Sequence, residues 1–491
     1  MDILARIDAW ADLAPHRPAH VSAGRCLTYA ELRAQSDRLA ALLARVLPPG
    51  RAPVAVVGHK EPAMLVAFLA AVKAGRPYVP IDTGLPPQRI ERIIALSGAA
   101  VTLTPARVAE LLAEADDSVP NGTPSPVGGD DPFYIIFTSG STGEPKGVVI
   151  TLACLTSFVA WMLGEHCFRE GQETFLNQAP FSFDLSVMDV FLSLITGGTL
   201  FSLTQDDIAS PRRLYQSLAA SGATVWVSTP SFAAMCLVER TFNAAMLPYL
   251  RRFLFCGETL APDVAAGLLD RFPDAEVWNT YGPTEATVAT TSVRITGETL
   301  AQHNPLPVGF AKPDARILIV DDAGRPLPPG ESGEIVIVGP NVSVGYLGRP
   351  DLTARAFSTV DGERAYHTGD RGYLAPDGLL FFEGRLDGQV KLHGYRIELG
   401  DIEVHLRALP GVRDAVVLPR LKEGRVDSLV AFVILAAPPA GSAFEQTLAL
   451  KQALAQRVPS YMVPGKFRFL DAFPMTANGK ADRRALGESL A

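Results

Sequence analysis

The chain has 491 residues, of which 48% are apolar and 20% are charged. This composition supplies an ordinary globular core and excludes disordered and fibrous proteins, and the length predicts about three structural units. The formal net charge of −8 offers no bulk basic field for nucleic acid or anionic lipid, so neither is expected as a partner.

Cysteine usage and the amino terminus predict the compartment. The five cysteines are odd in number and widely spaced, and none forms a CxxC pair, which is typical of a reducing compartment. The longest apolar run, 63–72, is too short to cross a bilayer and predicts a core helix. The chain begins Met-Asp-Ile-Leu, without the basic and apolar regions of a signal peptide, so we expect a cytoplasmic protein with no membrane insertion.

In chain order, short β-rich runs alternate with helical segments, which predicts α/β layers. We expect helices at 29–43 and 211–220 and strands at 54–57, 134–137 and 224–227.

The pattern changes twice near the carboxyl end. Closely spaced strands between about residues 305 and 383, such as 316–320 and 334–338, predict a β-rich subdomain. After the sequence GRLD at 384–387, a segment with its own alternation of elements predicts a separate small domain. The expected domains are therefore 1–386 and 387–491, with Asp387 as the hinge; the small domain should contain strands at 415–418 and 429–435 and a helix at 445–457.

Residues 134–150 read YIIFTSGSTGEPKGVVI, a hydroxyl- and glycine-rich loop between two apolar runs. Glycines let backbone N–H groups approach an anion, hydroxyls add donors and a lysine adds charge, so the loop predicts a phosphate site. It is not a Walker loop, because it leads into a strand at 147–150 rather than into a helix. A polar hairpin turn is the alternative. The predicted phosphate ligands are Thr138, Ser139, Gly140, Ser141, Thr142, Gly143 and Lys146.

This loop resembles the phosphate loop of the adenylate-forming superfamily, which includes acyl-CoA synthetases, luciferases and amino-acid adenylation domains. The resemblance continues through most of the chain in ten ordered motifs: LTYAEL (27–32), KAGRPYVPID (73–82), FDLSV (183–187), NTYGPTE (279–285), GEIVIVG (333–339), YHTGD (366–370), GRLDGQVK (384–391), GYRIEL (394–399), PSYMVP (459–464) and NGKADR (478–483). It implies an α/β fold with a large adenylate-forming core, made of two α/β subdomains and a β-rich subdomain, and a small mobile α+β C-terminal domain.

The chemistry of the superfamily explains the charged residues. A carboxylate attacks the α-phosphate of ATP while pyrophosphate leaves, so cations must neutralise the anions that meet there. By resemblance Lys480 is the catalytic lysine, although a lone lysine would be read as a surface residue. Glu285 is similar to the Mg²⁺ ligand of the family, with a solvated loop glutamate as the alternative. Thr142 completes the catalytic set that the resemblance implies.

The same resemblance implies an adenosine site. Tyr281 offers an aromatic face to adenine and Asn279 a hydrogen bond to its edge. Asp370 could hold both ribose hydroxyls, and Arg385 offers a donor fork to ribose or phosphate. A buried turn tyrosine and a surface ion pair are the corresponding alternatives. The expected nucleotide set also contains Gly257, Glu258, Thr280, Gly282, Pro283, Thr284, Phe382 and Lys480.

Asp184 distinguishes amino-acid substrates from fatty acids, because in amino-acid adenylation domains this aspartate pairs with the α-ammonium group of the substrate. The alternative is a helix N-cap before 185–194. The specificity positions of the family correspond to Asp184, Leu185, Met188, Val227, Leu254, Cys256, Thr280, Val288, Ala289 and Lys480. This lining is apolar and has no second charge for a charged substrate side chain, so a small uncharged amino acid is expected.

Five stretches, 181–189, 228–232, 255–258, 307–313 and 391–396, resemble the branch of the superfamily that loads D-alanine for lipoteichoic acid. They imply activation of a small amino acid, with D-alanine as the best match, and transfer to the phosphopantetheine thiol of a carrier protein. We expect a separate carrier, because no carrier segment precedes Ala491. Cys256 would then help to select the D enantiomer; the alternative is a small buried hydrophobe.

Three other functions stay open. A stand-alone adenylation enzyme for L-alanine, glycine or another small amino acid would have nearly the same sequence pattern. An acyl-CoA synthetase is disfavoured by Asp184. A catalytically dead sensor is disfavoured because Glu285, Asp370, Arg385 and Lys480 are all present.

Overall fold

The structure is a computed structural model that describes residues 1–114, 125–140, 143–386, 389–392, 395–422, 425–436, 442–475 and 481–490. The chain forms two compact units. The first comprises 1–82, 94–137 and 147–386, and the second comprises 83–93, 138–146 and 387–491. Two short segments of the N-terminal region, one of them the predicted phosphate loop, thus group with the C-terminal residues.

A nine-stranded sheet forms the largest layer of the first unit. Its order is Phe310–Ala311, Thr291–Ile295, Glu276–Tyr281, Arg252–Phe255, Val225–Ser228, Thr174–Asn177, Thr199–Ser202, Pro18–Ser22 and Arg25–Thr28. The pairs between Glu276–Tyr281 and Pro18–Ser22 are parallel. The pairs at both outer ends are antiparallel.

A five-stranded sheet lies in the order Val101–Leu103, Val54–Gly58, Tyr78–Asp82, Pro132–Thr138 and Lys146–Thr151. Its first three pairs are parallel. Helix Pro62–Lys73 is almost entirely buried, as expected for a short apolar run that is part of a core.

The helices of these α/β layers begin with local signals that the sequence contains. Thr28 and Glu31 form a capping box at the start of helix Tyr29–Val46, in which each side chain accepts a hydrogen bond from the backbone of the other. The further helices are Ile3–Leu13, Pro87–Ser97, Pro105–Glu114, Leu152–His166, Leu185–Ile195, Gln205–Ala209, Pro211–Ala220, Pro230–Leu237, Pro262–Arg271 and Gly297–Gln302.

The predicted β-rich subdomain is an antiparallel sheet. Strands Arg316–Val320, Gly333–Val338, Glu363–Leu374 and Phe357–Val360 pair in that order, and Leu380–Arg385 pairs with Glu363–Leu374. Helix Pro350–Ala356 precedes the strand Phe357–Val360. This sheet supplies Asp370, Phe382 and Arg385.

The C-terminal residues form an α+β arrangement with its own buried apolar cluster. Strands Gln389–Leu392 and Tyr395–Glu398 form a hairpin, and Val412–Lys422, Arg425–Leu435 and Lys466–Phe469 form a three-stranded sheet. The helices are Leu399–Arg407, Ala443–Ala455 and Arg483–Glu488.

The expected fold class is confirmed, and the predicted elements are present with ends that differ by a few residues. The largest difference is in the small domain, where the strand predicted at 415–418 extends over Val412–Lys422. The five cysteines all lie among the described residues, and none of them forms a disulfide. No helix among the described residues is both long enough and apolar enough to span a membrane.

Candidate active site

Four adjacent parallel strands bring the predicted site residues of the first unit to one edge of the nine-stranded sheet. Asp184 follows strand Thr174–Asn177, Cys256 comes directly after Arg252–Phe255, and Tyr281 ends Glu276–Tyr281. Ligands of open α/β sheets bind outside the carboxyl ends of the strands. The strand order therefore places a carboxylate, a thiol and an aromatic ring at the same edge.

The predicted amino-acid lining forms one buried group. Val227 and Leu254 are opposite each other on neighbouring strands, and both are completely buried. Seven of the ten predicted substrate residues belong to a single hydrophobic cluster: Leu185, Met188, Val227, Leu254, Cys256, Val288 and Ala289.

Asp184 lies at the edge of this cluster and is 7% exposed. It occupies the N-cap position of helix Leu185–Ile195, yet its side chain makes no capping hydrogen bond and its backbone is helical, with φ −60° and ψ −26°. The ring of the adjacent Phe183 lies close to Gly257, shortly after strand Arg252–Phe255: a Cβ added at Gly257 would lie 3.6 Å from Phe183 Cζ. Asp184 therefore occupies the N-cap position considered from the sequence, but its side chain does not cap the helix.

Cys256 connects a strand end to a strained turn. Its thiol donates to the carbonyl of Val288 at 3.4 Å. Thr287 and Val288 have φ of 54° and 69°, in the left-handed region that non-glycine residues rarely adopt. Asn341 holds this turn, because it donates to the carbonyl of Ala286 at 2.8 Å and its own carbonyl accepts from Thr287 at 2.7 Å.

A second group joins two sheets of the first unit. The hydroxyl of Tyr281 donates to Asp370 Oδ2 at 2.6 Å, and Arg385 donates to Asp370 Oδ1 at 2.6 Å. Burial and the neighbouring Asp370 carboxylate raise the pKa of Tyr281 well above its usual value. The ring of Phe382 lies 6.0 Å from that of Tyr281. Asp370 is buried and the side chain of Arg385 is 13% exposed, so the pair is not the surface ion pair considered from the sequence.

Backbone contacts shape the motif that contains Tyr281. The side-chain amide of Asn279 is buried and donates to the carbonyl of Pro307 at 2.8 Å, and Thr280 donates to the carbonyl of Phe255 at 2.8 Å. At Gly282 an added Cβ would lie 2.6 Å from the Cα of Ala289, so only glycine allows the two backbone segments to approach this closely.

Glu285 lies in the short 3₁₀ helix Thr284–Ala286, which follows Pro283. It is completely buried, and the hydroxyl of Tyr346 donates to its Oε1 at 2.7 Å. The backbone N–H of Ser343 donates to the carbonyl of Glu285 at 2.8 Å. The solvated loop glutamate considered from the sequence is therefore excluded. Elsewhere among these motifs, Glu258 Oε2 accepts from the N–H of Ser231 at 3.1 Å.

The predicted phosphate loop belongs to the second unit. The hydroxyl of Ser139 donates to the carbonyl of Arg396 at 2.8 Å and accepts from the N–H of Glu398 at 3.3 Å. A Cβ at Gly140 would lie 2.3 Å from the carbonyl oxygen of Glu144, so the loop is folded tightly there. Lys146 begins the strand Lys146–Thr151, which contains the strand predicted at 147–150 and extends it by one residue at each end.

One buried atom and four residues complete the comparison with the predicted site. Thr138 Oγ1 has no hydrogen-bond partner among the described residues. Ser141, Thr142, Asp387 and Lys480 lie outside the described residues.

Sequence reasoning missed several supporting residues. Tyr346 and Asn341 stand in no pattern that marks them, because they act on Glu285 and on the 286–288 turn from distant positions in the chain. Asn177 and Asp189 are also new. Asp189 had a usable signal, since an aspartate inside the apolar run of helix Leu185–Ile195 requires a buried partner.

The family of the chain follows from comparison with known proteins. Residues 7–347 match the model of the AMP-binding enzyme family, and residues 401–480 match the model of its C-terminal domain. The chain belongs to this family of enzymes.

Two relatives are named D-alanine--D-alanyl carrier protein ligase, from Bacillus cereus and from Bacillus anthracis. Each is 50% identical to this chain, and the match covers 99% of both proteins. The predicted membership of the adenylate-forming superfamily is confirmed.

Solved structures share the fold. The Vibrio cholerae adenylation domain AlmE, crystallised with glycyl-adenosine-5'-phosphate, is similar with a TM-score of 0.85 and 24% identity over 100% of this chain and 97% of that one. An artificially fused adenylation–PCP di-domain from Klebsiella oxytoca is similar with a TM-score of 0.81 and 25% identity, over 95% and 93% of the two chains.

Proposed function

We propose that the protein activates D-alanine with ATP to D-alanyl-AMP and transfers the aminoacyl group to the phosphopantetheine thiol of a separate carrier protein. In the first step a carboxylate oxygen of the amino acid bonds to the α-phosphorus as pyrophosphate leaves. In the second step the thiol sulfur bonds to the acyl carbon, its proton is lost, and AMP leaves. The identity of 50% over the full length of relatives with this name supports the reaction.

The observation that carries the choice of substrate is the buried Asp184 next to an apolar cluster. Asp184 directly precedes Leu185, which belongs to the same buried hydrophobic cluster as Met188, Val227, Leu254, Cys256, Val288 and Ala289, so Asp184 is the proposed partner for an α-ammonium group. Thr280 and Lys480 complete the proposed lining. Asp184 and Lys480 are assigned to the α-ammonium and carboxylate groups, so a charged substrate side chain would lose its hydration against the uncharged residues without gaining a counter-ion of its own. A methyl side chain has no such cost.

The proposed adenosine site is centred on Asp370. Each of its carboxylate oxygens has two acceptor positions, and the contacts from Tyr281 and Arg385 use one of them on each oxygen. Within the described part of the chain, these contacts leave one acceptor position per oxygen for two ribose hydroxyls. The ring of Tyr281 is proposed to face adenine, flanked by Phe382. Asn279, Gly257, Glu258, Gly282, Pro283 and Thr284 form the rest of the proposed nucleotide contacts.

Glu285 fits a magnesium ion that arrives with the nucleotide. Mg²⁺ is commonly held by one or two carboxylates together with substrate phosphates rather than by a cage of protein ligands. Among the described residues, no group of three acidic, histidine or cysteine side chains could hold a metal alone, and a single buried carboxylate agrees with a shared ion. The ion would neutralise phosphate charge as the pyrophosphate leaves.

The remaining roles are proposals carried over from the superfamily. Lys480 would neutralise the attacking carboxylate and the phosphorus centre, and Thr142 would bind phosphate with Thr138, Ser139, Gly140, Ser141, Gly143 and Lys146. The domain of residues 387–491 would turn about Asp387 between the two steps, relative to residues 1–386. Because ATP is a cytoplasmic substrate, the reaction would take place in the cytoplasm.

The test is amino-acid-dependent exchange of pyrophosphate into ATP. D-alanine is expected to give the highest kcat/KM among D-alanine, L-alanine, glycine, β-alanine, the other proteinogenic amino acids and a fatty-acid control. A preference for L-alanine or glycine would contradict the choice of D-alanine and assign the protein to another amino-acid adenylation pathway. A preference for the fatty acid, or no exchange at all, would contradict amino-acid activation.

A further inference from the structure

A series of buried, hydrogen-bonded polar side chains connects helix Leu185–Ile195 to three strands, and the proposed reaction assigns a role to none of these side chains. We call this series the polar chain. His20, Asn177 and Asp189 are completely buried, and Ser202 is 2% exposed. Polar groups this deep cost free energy unless they are hydrogen-bonded, so their arrangement requires a reason.

The hydrogen bonds of the chain run in one direction. Ser202 has a single hydroxyl hydrogen and donates it to Asn177 Oδ1 at 2.8 Å. His20 Nε2, 2.9 Å from the same hydroxyl, must therefore be the donor. Asn177 Nδ2 in turn donates to Asp189 Oδ2 at 3.0 Å. The chain thus connects strands Pro18–Ser22, Thr199–Ser202 and Thr174–Asn177 to the helix.

The carboxamide of Asn177 also holds the connection that contains Asp184. Its second hydrogen is donated to the carbonyl of Ala179 at 2.9 Å. Ala179 comes shortly after strand Thr174–Asn177, and Asp189 lies in the helix that follows the connection. One side chain therefore fixes both sides of the segment 179–189, and Asp184 lies in its middle.

Two neighbours reinforce this clamp. Lys60 Nζ donates to the carbonyl of Gln178 at 2.6 Å and to that of Leu203 at 2.7 Å, which joins the ends of two strands. The ring of His20 lies 5.9 Å from that of Phe181, within the same connection.

Burial disfavours charge on the two ionisable members, His20 and Asp189. Burial lowers the pKa of His20 to about 3, so the imidazole is neutral at neutral pH. Burial raises the pKa of Asp189 well above its usual value, against the opposing effects of Asn177 and Lys60. Asp189 Oδ1 has no hydrogen-bond partner among the described residues.

We propose that Asn177 and Asp189, supported by Ser202 and His20, are positioning residues that set the place of Asp184 for the α-ammonium group of the substrate. The inference rests on the proposed function. Because the clamp acts through Asp184 alone, its loss changes recognition of the amino acid and leaves recognition of ATP unaffected.

The experiment compares Asp189→Ala with Asp189→Asn in the full-length enzyme. Alanine removes the acceptor of Asn177 Nδ2, whereas asparagine keeps a carbonyl oxygen at the same place. Asp189→Ala is expected to raise the KM for the amino acid about tenfold or more and to reduce the ratio of D- to L-alanine kcat/KM, with the KM for ATP changed less than about twofold. Asp189→Asn is expected to retain most of the wild-type KM and selectivity.

Two further variants complete the experiment. Ser193→Ala is the matched control, because Ser193 is buried on the same helix and donates only to the carbonyl of Val190 within it; wild-type KM values are expected. Ser202→Ala removes the far donor to Asn177 Oδ1 and replaces Asp189→Ala if that variant does not fold. It is expected to change the same two quantities by a smaller factor.

The alternative outcomes are distinct. If Asp189→Ala, or Ser202→Ala in its place, lowers only the melting temperature and leaves amino-acid KM and selectivity at wild-type values, the chain is merely structural and the inference fails. If the KM values for ATP and amino acid rise equally, the clamp does not act through Asp184. If the wild-type enzyme gives no amino-acid-dependent exchange, the proposed function fails first and the inference with it.

Discussion

Tyr281 and Asp370 are 89 residues apart in the chain, yet the Tyr281 hydroxyl donates to Asp370 Oδ2 at 2.6 Å. The bond connects the last residue of a strand in the nine-stranded sheet to a strand of the antiparallel subdomain. With Arg385 on the other carboxylate oxygen, Asp370 is held from both sides. The proposed ribose contact is therefore oriented before any nucleotide binds.

Replacing this hydroxyl tests that orientation. Tyr281→Phe is expected to raise the KM for ATP about tenfold, because a hydrogen bond to a charged group is worth about 1.5–3 kcal/mol. The KM for the amino acid should change little. Steady-state pyrophosphate exchange measures both constants. Tyr373→Phe is the control, since Tyr373 stacks on Phe381 in the same subdomain. Equal ATP KM values in both variants would contradict the role of the Tyr281 hydroxyl.

The charge of Glu285 is the second test. Glu285→Gln keeps the size of the side chain and an acceptor for Tyr346, but removes the negative charge proposed to hold magnesium. We expect kcat to fall about a hundredfold, a size typical of losing one preorganised electrostatic contact, and the Mg²⁺ concentration for half-maximal rate to rise. Exchange rates over a MgCl₂ titration measure both. The control Glu298→Gln, in helix Gly297–Gln302, should leave the MgCl₂ titration curve unchanged. A wild-type titration curve for Glu285→Gln would contradict the assignment of Glu285 to magnesium.

Cys256 and Cys236 are a matched pair for substitution, because both are buried and neither forms a disulfide. Cys256→Ala removes the contact to the Val288 carbonyl at the amino-acid cluster, so it is expected to lower the preference for D- over L-alanine. Cys236→Ala removes the same atom from a separate cluster and should leave the preference unchanged. The measurement is the ratio of kcat/KM for the two enantiomers. An unaltered ratio in Cys256→Ala would make this cysteine a plain core residue.

His166 makes folding sensitive to acid. Burial, assisted by the charge of Arg252, lowers the pKa of His166 from its usual 6.5 to about 3. Between these values the unfolded chain binds a proton that the folded chain does not, so stability is complete above about pH 6.5 and falls as the pH is lowered, by up to about 1.4 kcal/mol per pH unit.

His166→Phe removes that proton and suits the position, where Phe168 and Trp278 already contact the ring. The variant is expected to lose less unfolding free energy than the wild type between pH 7 and pH 5, as measured by urea unfolding. The exposed His16 provides the control, His16→Phe. Parallel pH dependence in the wild type and His166→Phe would show that the burial of this imidazole is not linked to stability.

Much of the fold could be predicted because its signals are local. Thr28 and Glu31 mark a helix start three residues apart, and the apolar run at 63–72 marks a core helix by its length. The hydroxyl- and glycine-rich loop at 134–150 likewise leads into the strand that its apolar residues predict. The strand Val412–Lys422 was predicted too short because its ends are less apolar, and pairing with Arg425–Leu435 extends it.

For the candidate site too, local sequence determined some features and the tertiary structure determined others. The ordered motifs determined the family, the residue types needed for adenylate chemistry and the apolar character of the amino-acid lining, since each of these depends on residues close together in the chain. The tertiary structure decided which distant residues meet: Tyr346 on Glu285, Tyr281 on Asp370, and Asn177 between Ala179 and Asp189. Such contacts depend on strand order and register, which bring residues together only after the sheets have formed, and no local pattern encodes them.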